Sequence, residues 1–104
     1  MGLLEGKVAV ITGGTRGLGL GIAGAYAREG AAVVVASRSA GSVEAAVKLL
    51  RDSGAQASGC DCDVGSLIEV EALAAHAIDT FGRFDIWVNN AGLSAPYGPT
   101  SEVS

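Results

Sequence analysis

Glycines, arginines and asparagines are the residues of this chain whose types and spacing favour ligand chemistry. An apolar run at residues 8–11 leads directly into a segment that contains Gly13, Gly17 and Gly19. Glycine permits a tight turn and lets a ligand approach the backbone without a Cβ in the way. Apolar residues recur at helical spacing from Leu18, so free N–H groups and the positive end of a helix dipole meet at the turn. The pattern predicts a binding site for an anion such as phosphate.

The spacing of these glycines separates the possible phosphate-binding loops. Leu20 stands where a P-loop needs its lysine, so a P-loop is excluded. A literal G-x-G-x-x-G starts only at Gly19, inside the predicted helix, and we interpret its glycines as allowing close helix packing. The better match is Thr12-Gly13-x-x-x-Gly17-x-Gly19. It resembles the T-G-x-x-x-G-x-G cofactor motif of the short-chain dehydrogenase/reductase family. A glycine-rich turn without any ligand is the alternative.

The end of the second predicted strand carries the next chemical signal. Residues 33–36 form an apolar run that is followed by Ser37 and Arg38, and no carboxylate occurs between Glu29 and Glu44. In dinucleotide folds a carboxylate at this point binds the ribose 2′-hydroxyl of NAD, whereas an arginine accommodates the 2′-phosphate of NADP. A guanidinium forms charge-assisted hydrogen bonds with phosphate, and a serine hydroxyl adds a donor.

Two residues within the glycine turn add to this preference. Arg16 is a second cation that can reach the same phosphate, and Thr15 adds a hydroxyl. The resemblance agrees, because NADP-using members of the family commonly place basic residues at the positions of Arg16 and Arg38. The expected cofactor is therefore NADP(H), with NAD(H) less favoured. The alternative is that both arginines are solvated surface residues.

Asp63 and Val64 follow the third predicted strand, at residues 56–62. The resemblance implies that this pair lies against the adenine ring, with the carboxylate accepting from the exocyclic amine and the neighbouring backbone donating to the ring. Asp61 is a competing carboxylate, and Asp63 is preferred because Val64 follows it. An aspartate before a helix is also an ordinary cap or turn residue.

The last motif is Asn89-Asn90-Ala91-Gly92, which ends a fourth apolar run and matches the N-N-A-G motif of the family. The amides can tie the strand end to neighbouring backbone, and the small residues leave room for a ligand at the carboxyl edge of the sheet. Together the motifs and the resemblance assign the cofactor contacts to Gly13, Thr15, Arg16, Gly17, Leu18, Gly19, Ser37, Arg38, Asp63, Val64, Asn90, Ala91 and Gly92.

The elements that position these residues alternate between strands and helices. This alternation predicts an α/β fold, a Rossmann-like doubly wound parallel sheet with strand order 3-2-1-4. We expect helices at residues 42–53 and 67–81, the second preceded by a capping box from Ser66 to Glu69. The apolar stripe of that second helix is predicted to comprise Leu67, Val70, Leu73, Ala74, Ala77, Ile78 and Phe81.

The resemblance implies that residues 1–104 are the NADP-binding N-terminal portion of a single, incomplete Rossmann domain. The strand that ends at Asn89 is then an edge strand, and we expect exposed apolar surface and self-association. The family's Tyr-x-x-x-Lys pair is absent, because Tyr26 and Tyr97 have no lysine four residues on. No catalytic residue is assigned.

Two functions of different kinds follow. The first is that of an NADP(H)-dependent oxidoreductase, moving hydride between nicotinamide and a carbonyl or alcohol substrate in a longer form of the chain. The alternative is a catalytically incompetent nucleotide-binding fragment or module. A third possibility is a structural or interaction domain that binds no nucleotide. It would require the four motifs to occur together by chance.

Composition excludes several other classes. The chain has 104 residues, a net charge of −4 and no basic run, so a nucleic-acid surface is not expected. No apolar stretch is long enough for a membrane span, and Glu5 and Lys7 interrupt any signal-peptide core, so a cytoplasmic protein is expected. Cys60 and Cys62 suit neither a disulfide framework nor a zinc site. His76 is expected to face solvent, without a metal or catalytic role.

Overall fold

The computed structural model describes residues 2–15 and 17–90. Arg16, Ala91 and Gly92, three of the candidate cofactor residues, lie outside the described residues, and so does Tyr97. Within the described ranges, four strands alternate with three helices: β1 Val8–Thr12, α1 Gly17–Arg28, β2 Ala32–Ser37, α2 Ala40–Asp52, β3 Ala57–Asp61, α3 Leu67–Phe81 and β4 Ile86–Asn89. All pairings are parallel and the strand order is β3-β2-β1-β4, which confirms the predicted fold.

The sheet lies between two layers of helices. Residues of α1 and α2 pack with Ile11 and Val35 on one face, whereas Leu73 and Ala77 of α3 pack with Val10 and Val34 on the other. β1 is buried along its whole length, and β2 is buried as far as Ala36. A strand covered on both faces needs apolar residues at successive positions, which explains the uninterrupted runs in these two strands.

Serine caps set the starts of two helices. The Ser39 hydroxyl accepts a hydrogen bond from the amide of Ser42 at 3.2 Å, so α2 begins at Ala40 rather than at residue 42 as predicted. The Ser66 hydroxyl accepts from the amide of Glu69 at 3.3 Å and caps α3, whose predicted bounds are confirmed. Gly82 ends α3 in the left-handed conformation, with φ of 87°.

The apolar stripe predicted for α3 is wider than the face that the helix buries. Leu73 and Ala77 are buried, and Val70 and Phe81 pack beside them, but Leu67 and Ile78 are 72% and 49% exposed. The prediction was wrong for these two because, in the described part of the chain, α3 meets only the sheet. A helix on a sheet buries the residues along its line of contact and leaves the flanking ones in water.

His76 also differs from its prediction. Its Nε2 lies 2.8 Å from the hydroxyl oxygen of Ser58 on β3, and the side chain is half-buried. His76 follows Leu73 by three residues, so both lie on the side of α3 that faces the sheet. The hydrogen bond fastens α3 to β3. The expected solvent-facing histidine is therefore a packed one.

The start of β4 is joined to the start of β1 through Asp85. The Asp85 carboxylate accepts from the amide of Val8 at 2.9 Å, and the Asp85 amide donates to the Val8 carbonyl at 2.8 Å. Arg83 forms an ion pair with the same carboxylate. The hydrogen bond from Arg83, followed by that from Val8, holds the pKa of Asp85 below its usual value. The pairing therefore stabilises the fold at neutral pH, and this contribution is lost as the pH falls through the lowered pKa.

Both cysteines are free and lie on or just after β3. Cys62 is buried and Cys60 is half-buried, and burial is the largest cause that raises the pKa of each thiol. They are therefore protonated thiols at neutral pH. Among the described residues, no helix is both long enough and apolar enough to cross a membrane.

Substitution of Leu73 by alanine tests the contribution of α3 to the core. Leu73 is 0% exposed, so we expect Leu73→Ala to lower the free energy of unfolding by about 2–5 kcal/mol. The matched control is Leu49→Ala on α2, because Leu49 is 57% exposed and should lose less than about 0.5 kcal/mol. Urea unfolding followed by circular dichroism measures both. Equal losses for the two variants would contradict the packing of α3 on the sheet.

Candidate cofactor-binding site

The carboxyl ends of the four strands meet at one edge of the sheet because all the strands run parallel. Thr12 at the end of β1 is the register partner of Ala36 on β2 and of Asn89 on β4. Ser37 at the end of β2 is the partner of Asp61 on β3. The residues that follow these strands are the glycine turn, Arg38, Asp63 and Asn90, so the predicted site residues of the described ranges are brought to the same edge.

The glycine turn after β1 is held against the end of β2. The amides of Gly13 and Gly14 both donate to the carbonyl of Ala36, at 2.7 and 3.4 Å. Gly13 and Gly17 have φ angles of 68° and 59°, in the left-handed region that favours glycine. The glycines at these two positions let the chain leave the strand and enter α1 within a few residues.

Gly19 lies where α1 packs too closely on the glycine turn and on Asn90 to leave room for a side chain. A Cβ added at Gly19 would overlap the carbonyl of Gly13 and would lie 2.6 Å from Nδ2 of Asn90. The same Nδ2 donates to the Gly13 carbonyl at 3.2 Å. The first turn of α1, the glycine turn and the end of β4 therefore contact one another in a space that only glycine fits.

Thr12 links the ends of β1 and β4, a role that the sequence reasoning did not assign. Its hydroxyl oxygen lies 3.3 Å from the Val88 carbonyl and 3.3 Å from Oδ1 of Asn89, either of which can accept its proton. The hydroxyl in turn accepts from the amide of Asn90 at 3.2 Å. Thr12 is the threonine of the T-G motif, so the sequence did point to this position.

Asn90 presents an unpaired acceptor at this junction. Its Oδ1 is buried and has no hydrogen-bond partner among the described residues. A buried acceptor without a donor costs about 1–3 kcal/mol, so a donor from a bound molecule is favoured at this position. The unpaired amide oxygen and the tightly packed turn fit a ligand that brings hydrogen-bond donors along with its phosphates.

The start of α1 supplies the anion-binding groups. Gly17 and Leu18 are exposed at the first turn, and amides of a first turn have no partner within the helix. Thr15 precedes them and is half-buried. With the helix dipole, these amides favour a phosphate group at the turn.

The end of β2 combines a serine turn with an exposed cation. The Ser37 hydroxyl donates to the carbonyl of Ser39 at 3.3 Å and accepts from its amide at 3.2 Å, so it shapes the turn before α2. Arg38 is exposed and forms no ion pair with any described residue. Its guanidinium is therefore available to an anion at the carboxyl edge.

Asp63 forms the turn between β3 and α3. Its Oδ1 accepts from the amide of Gly65 at 2.9 Å, and its own amide donates to the Glu69 carboxylate at 2.8 Å. In the predicted capping box the Glu69 carboxylate would accept from the Ser66 amide. In the structure it accepts from the Asp63 amide instead. Val64 is exposed beside this turn. These bonds make Asp63 a turn residue, and its Oδ2 forms no hydrogen bond with another described residue.

The glycine packing gives a direct test of the site's geometry. We expect Gly19→Ala to destabilise the fold by about 1–3 kcal/mol because the new methyl group has no room. Gly21→Ala is the matched control, since nothing lies within 4 Å of its added Cβ, and it should stabilise α1 by about 0.5–1 kcal/mol. Thermal unfolding of both variants measures the difference. A destabilisation by Gly21→Ala as large as that by Gly19→Ala would contradict the close contact with Gly13 and Asn90.

Comparisons with known proteins identify the family. The short chain dehydrogenase family model matches residues 7–104. The chain is 39% identical over 104 residues to a putative ketoacyl reductase of Streptomyces coelicolor, covering 100% of this chain and 40% of that protein.

Solved structures agree with this match. An actinorhodin polyketide ketoreductase variant with NADPH is 41% identical, with a TM-score of 0.82 over 88% of this chain and 35% of that one. A short chain dehydrogenase/reductase from Burkholderia phymatum in complex with NAD is 39% identical, with a TM-score of 0.83 over 88% of this chain and 33% of that one. The chain thus spans 40% or less of the length of these relatives. It belongs to the short-chain dehydrogenase/reductase family of oxidoreductases.

Proposed function

We propose that residues 1–104 form the NADP-binding portion of a single Rossmann domain, and that this portion binds NADP(H) in preference to NAD(H). The observation that carries the preference is the end of β2, where exposed Arg38 follows Ser37 and no carboxylate stands between Glu29 and Glu44. One similar structure contains NADPH and another NAD, so the preference rests on these residues and not on the likeness.

Each candidate residue has a proposed part in holding the cofactor. The turn at Gly13, the amides at Gly17, Leu18 and Gly19 and the hydroxyl of Thr15 bind the pyrophosphate. The 2′-phosphate lies at Ser37 and Arg38, with Arg16 as the second cation.

The remaining candidates lie on either side of the phosphates. Asp63 and Val64 bind the adenine ring. Asn90, with Ala91 and Gly92 after it, borders the ribose and nicotinamide side of the cofactor, where the unpaired Oδ1 of Asn90 accepts a hydrogen bond.

The bound cofactor would supply a nicotinamide ring that gives or takes hydride. The residues of this chain bind and orient it at the carboxyl edge of the sheet. A carbonyl or alcohol is the substrate class we propose for the whole protein, as the names of the similar ketoacyl reductase and polyketide ketoreductase suggest.

A second candidate function is nucleotide binding without turnover by the 104-residue chain. The sequence holds no Tyr-x-x-x-Lys pair, and Tyr26 packs against the core between α1 and the sheet. Tyr26 is therefore a packing residue rather than a candidate proton donor. A longer reading frame with Tyr-x-x-x-Lys after Ser104 would favour the oxidoreductase, and its absence would favour the binding module.

Calorimetric titration of the chain with NADPH and with NADH tests the proposal. We expect saturable binding of NADPH and weaker binding of NADH. Equal affinity for the two would contradict the assignment of the 2′-phosphate to Arg38. Absence of binding to either would contradict a working cofactor site in this chain.

Charge reversal at Arg38 tests the same preference by mutation. Arg38→Asp should weaken NADPH binding about 10- to 100-fold, because a charge-assisted hydrogen bond contributes about 1.5–3 kcal/mol. It should leave NADH binding unchanged or strengthen it, because a carboxylate at this point can bind the ribose 2′-hydroxyl, so the preference narrows or reverses. The matched control is Arg28→Asp, at the far end of α1 from the turn. An unchanged ratio of the two affinities in Arg38→Asp would remove Arg38 from the site.

A further inference from the structure

The outer edge of β3 carries backbone groups that the fold leaves unpaired. Among the residues that the structure describes, β3 is the last strand on its side of the sheet. The Val33 amide donates to the Gln56 carbonyl and the Cys62 amide donates to the Ser37 carbonyl, so the even-numbered residues of this segment pair with β2. In a parallel ladder the alternate residues point away from the partner strand. Ala57, Gly59 and Asp61 therefore direct their N–H and C=O groups outward.

A groove runs along this edge. A cavity of about 380 Å³ lies between α2 and β3, and its lining combines apolar, charged and strand residues: Val43, Val47, Glu44, Lys48, Arg51, Asp52, Ser58 and Gly59. The Gly59 backbone is accessible from this groove, and the glycine adds no side chain to cover it. Other described parts of the fold do not pair with the outward groups of Gly59 and Asp61.

Arg51 and Asp61 carry opposite charges and lie at opposite ends of the strand. The Arg51 Nε donates to the Ala57 carbonyl at 2.8 Å, which places the guanidinium at the start of β3, and Arg51 has no carboxylate partner among the described residues. Asp61 is exposed at the end of β3 and pairs with no cation among the described residues. Side chains alternate along a strand, so Asp61 lies on the same face as Ala57, which packs in the cluster with α2.

We propose that β3 is the docking edge for a second copy of this chain, which adds its own β3 antiparallel about a two-fold axis at Gly59. In this arrangement Gly59 faces Gly59 of the second copy, and Ala57 faces Asp61 of the second copy. The Ala57 carbonyl already accepts from Arg51, so it accepts the Asp61 amide of the second copy on its second lone pair. Arg51 beside Ala57 then meets the carboxylate of Asp61 from the other chain, twice by symmetry. The two-fold axis places Arg51 of each chain beside Asp61 of the other chain. This match of opposite charges favours a second copy of the chain as the partner.

The helices fit this arrangement. α2 packs on both β2 and β3, so the axis places the two copies of α2 about two strand spacings apart, roughly 10 Å, which is close to the usual distance between packed helices. The strand has five residues and forms few new hydrogen bonds. We therefore expect a dimer that dissociates on dilution. The proposed interface uses none of the candidate cofactor residues, although Asp61 lies beside Ser37 at the carboxyl edge.

Sedimentation equilibrium across a range of chain concentrations tests the dimer. Asp61→Arg and Arg51→Asp each bring like charges together and should raise the dimer dissociation constant at least tenfold. The double variant Arg51→Asp/Asp61→Arg exchanges the two charges and should restore dimerisation. Glu71→Arg, an exposed position on α3 with the same change in net charge as Asp61→Arg, is the matched control and should dimerise like the unmodified chain.

Hydrogen exchange gives a second readout that needs no variant. The amides of Gly59 and Asp61 should be protected at high chain concentration and should exchange on dilution. A monomer at all concentrations, an effect of Asp61→Arg no larger than that of Glu71→Arg, or a double variant that stays monomeric would each overturn the proposal. If a variant fails to fold, unprotected Gly59 and Asp61 amides in the concentrated unmodified chain overturn it as well.

Discussion

The contact between the glycine turn and the end of β4 is the constraint on which the candidate site depends. Asn90 donates to the Gly13 carbonyl, and Gly19 occupies a position where any side chain would overlap that carbonyl. Thr12 joins the same two strand ends through its hydroxyl. Residues far apart in the chain therefore shape one turn, and the turn has this form only when the parallel sheet has assembled.

The sheet has a buried centre and exposed edges. β1 and most of β2 are buried and hold the strand ends in register. The carboxyl edge leaves exposed what a dinucleotide needs: the first turn of α1 and the Arg38 guanidinium. The lateral edge at β3 instead exposes backbone groups between two opposite charges, which suits a strand of a second copy. We therefore propose two different kinds of recognition for one sheet, set by the direction in which its unpaired groups point.

Much of the fold could be predicted because its signals are local. The apolar runs of β1 and β2 follow from burial on both faces, and Ser66 and its capping bond mark the start of α3. The strand order follows from the handedness of parallel crossovers. The start of α2 was misplaced because Ser39, an equally good cap, comes before Ser42.

The rest depends on tertiary packing that the sequence does not display. Periodicity shows which residues of α3 share a face, but not how much of that face a neighbour covers, so Leu67 and Ile78 were expected to be buried and His76 to be exposed. The motifs predicted that the candidate residues meet at one edge. They could not predict the clamp between Asn90 and Gly13 or the bond from Arg51 to Ala57, because side-chain orientation across the fold decides both.

We propose that the assembled glycine turn forms a dinucleotide site, and amide chemical-shift mapping is the most direct test of this site. NADPH is titrated into the 15N-labelled chain, and the perturbed amides are assigned. We expect the largest shifts at Gly13, Gly17, Gly19 and Arg38, with little change at the amino ends of the strands. Shifts scattered over the surface, or concentrated in the groove between α2 and β3, would contradict it.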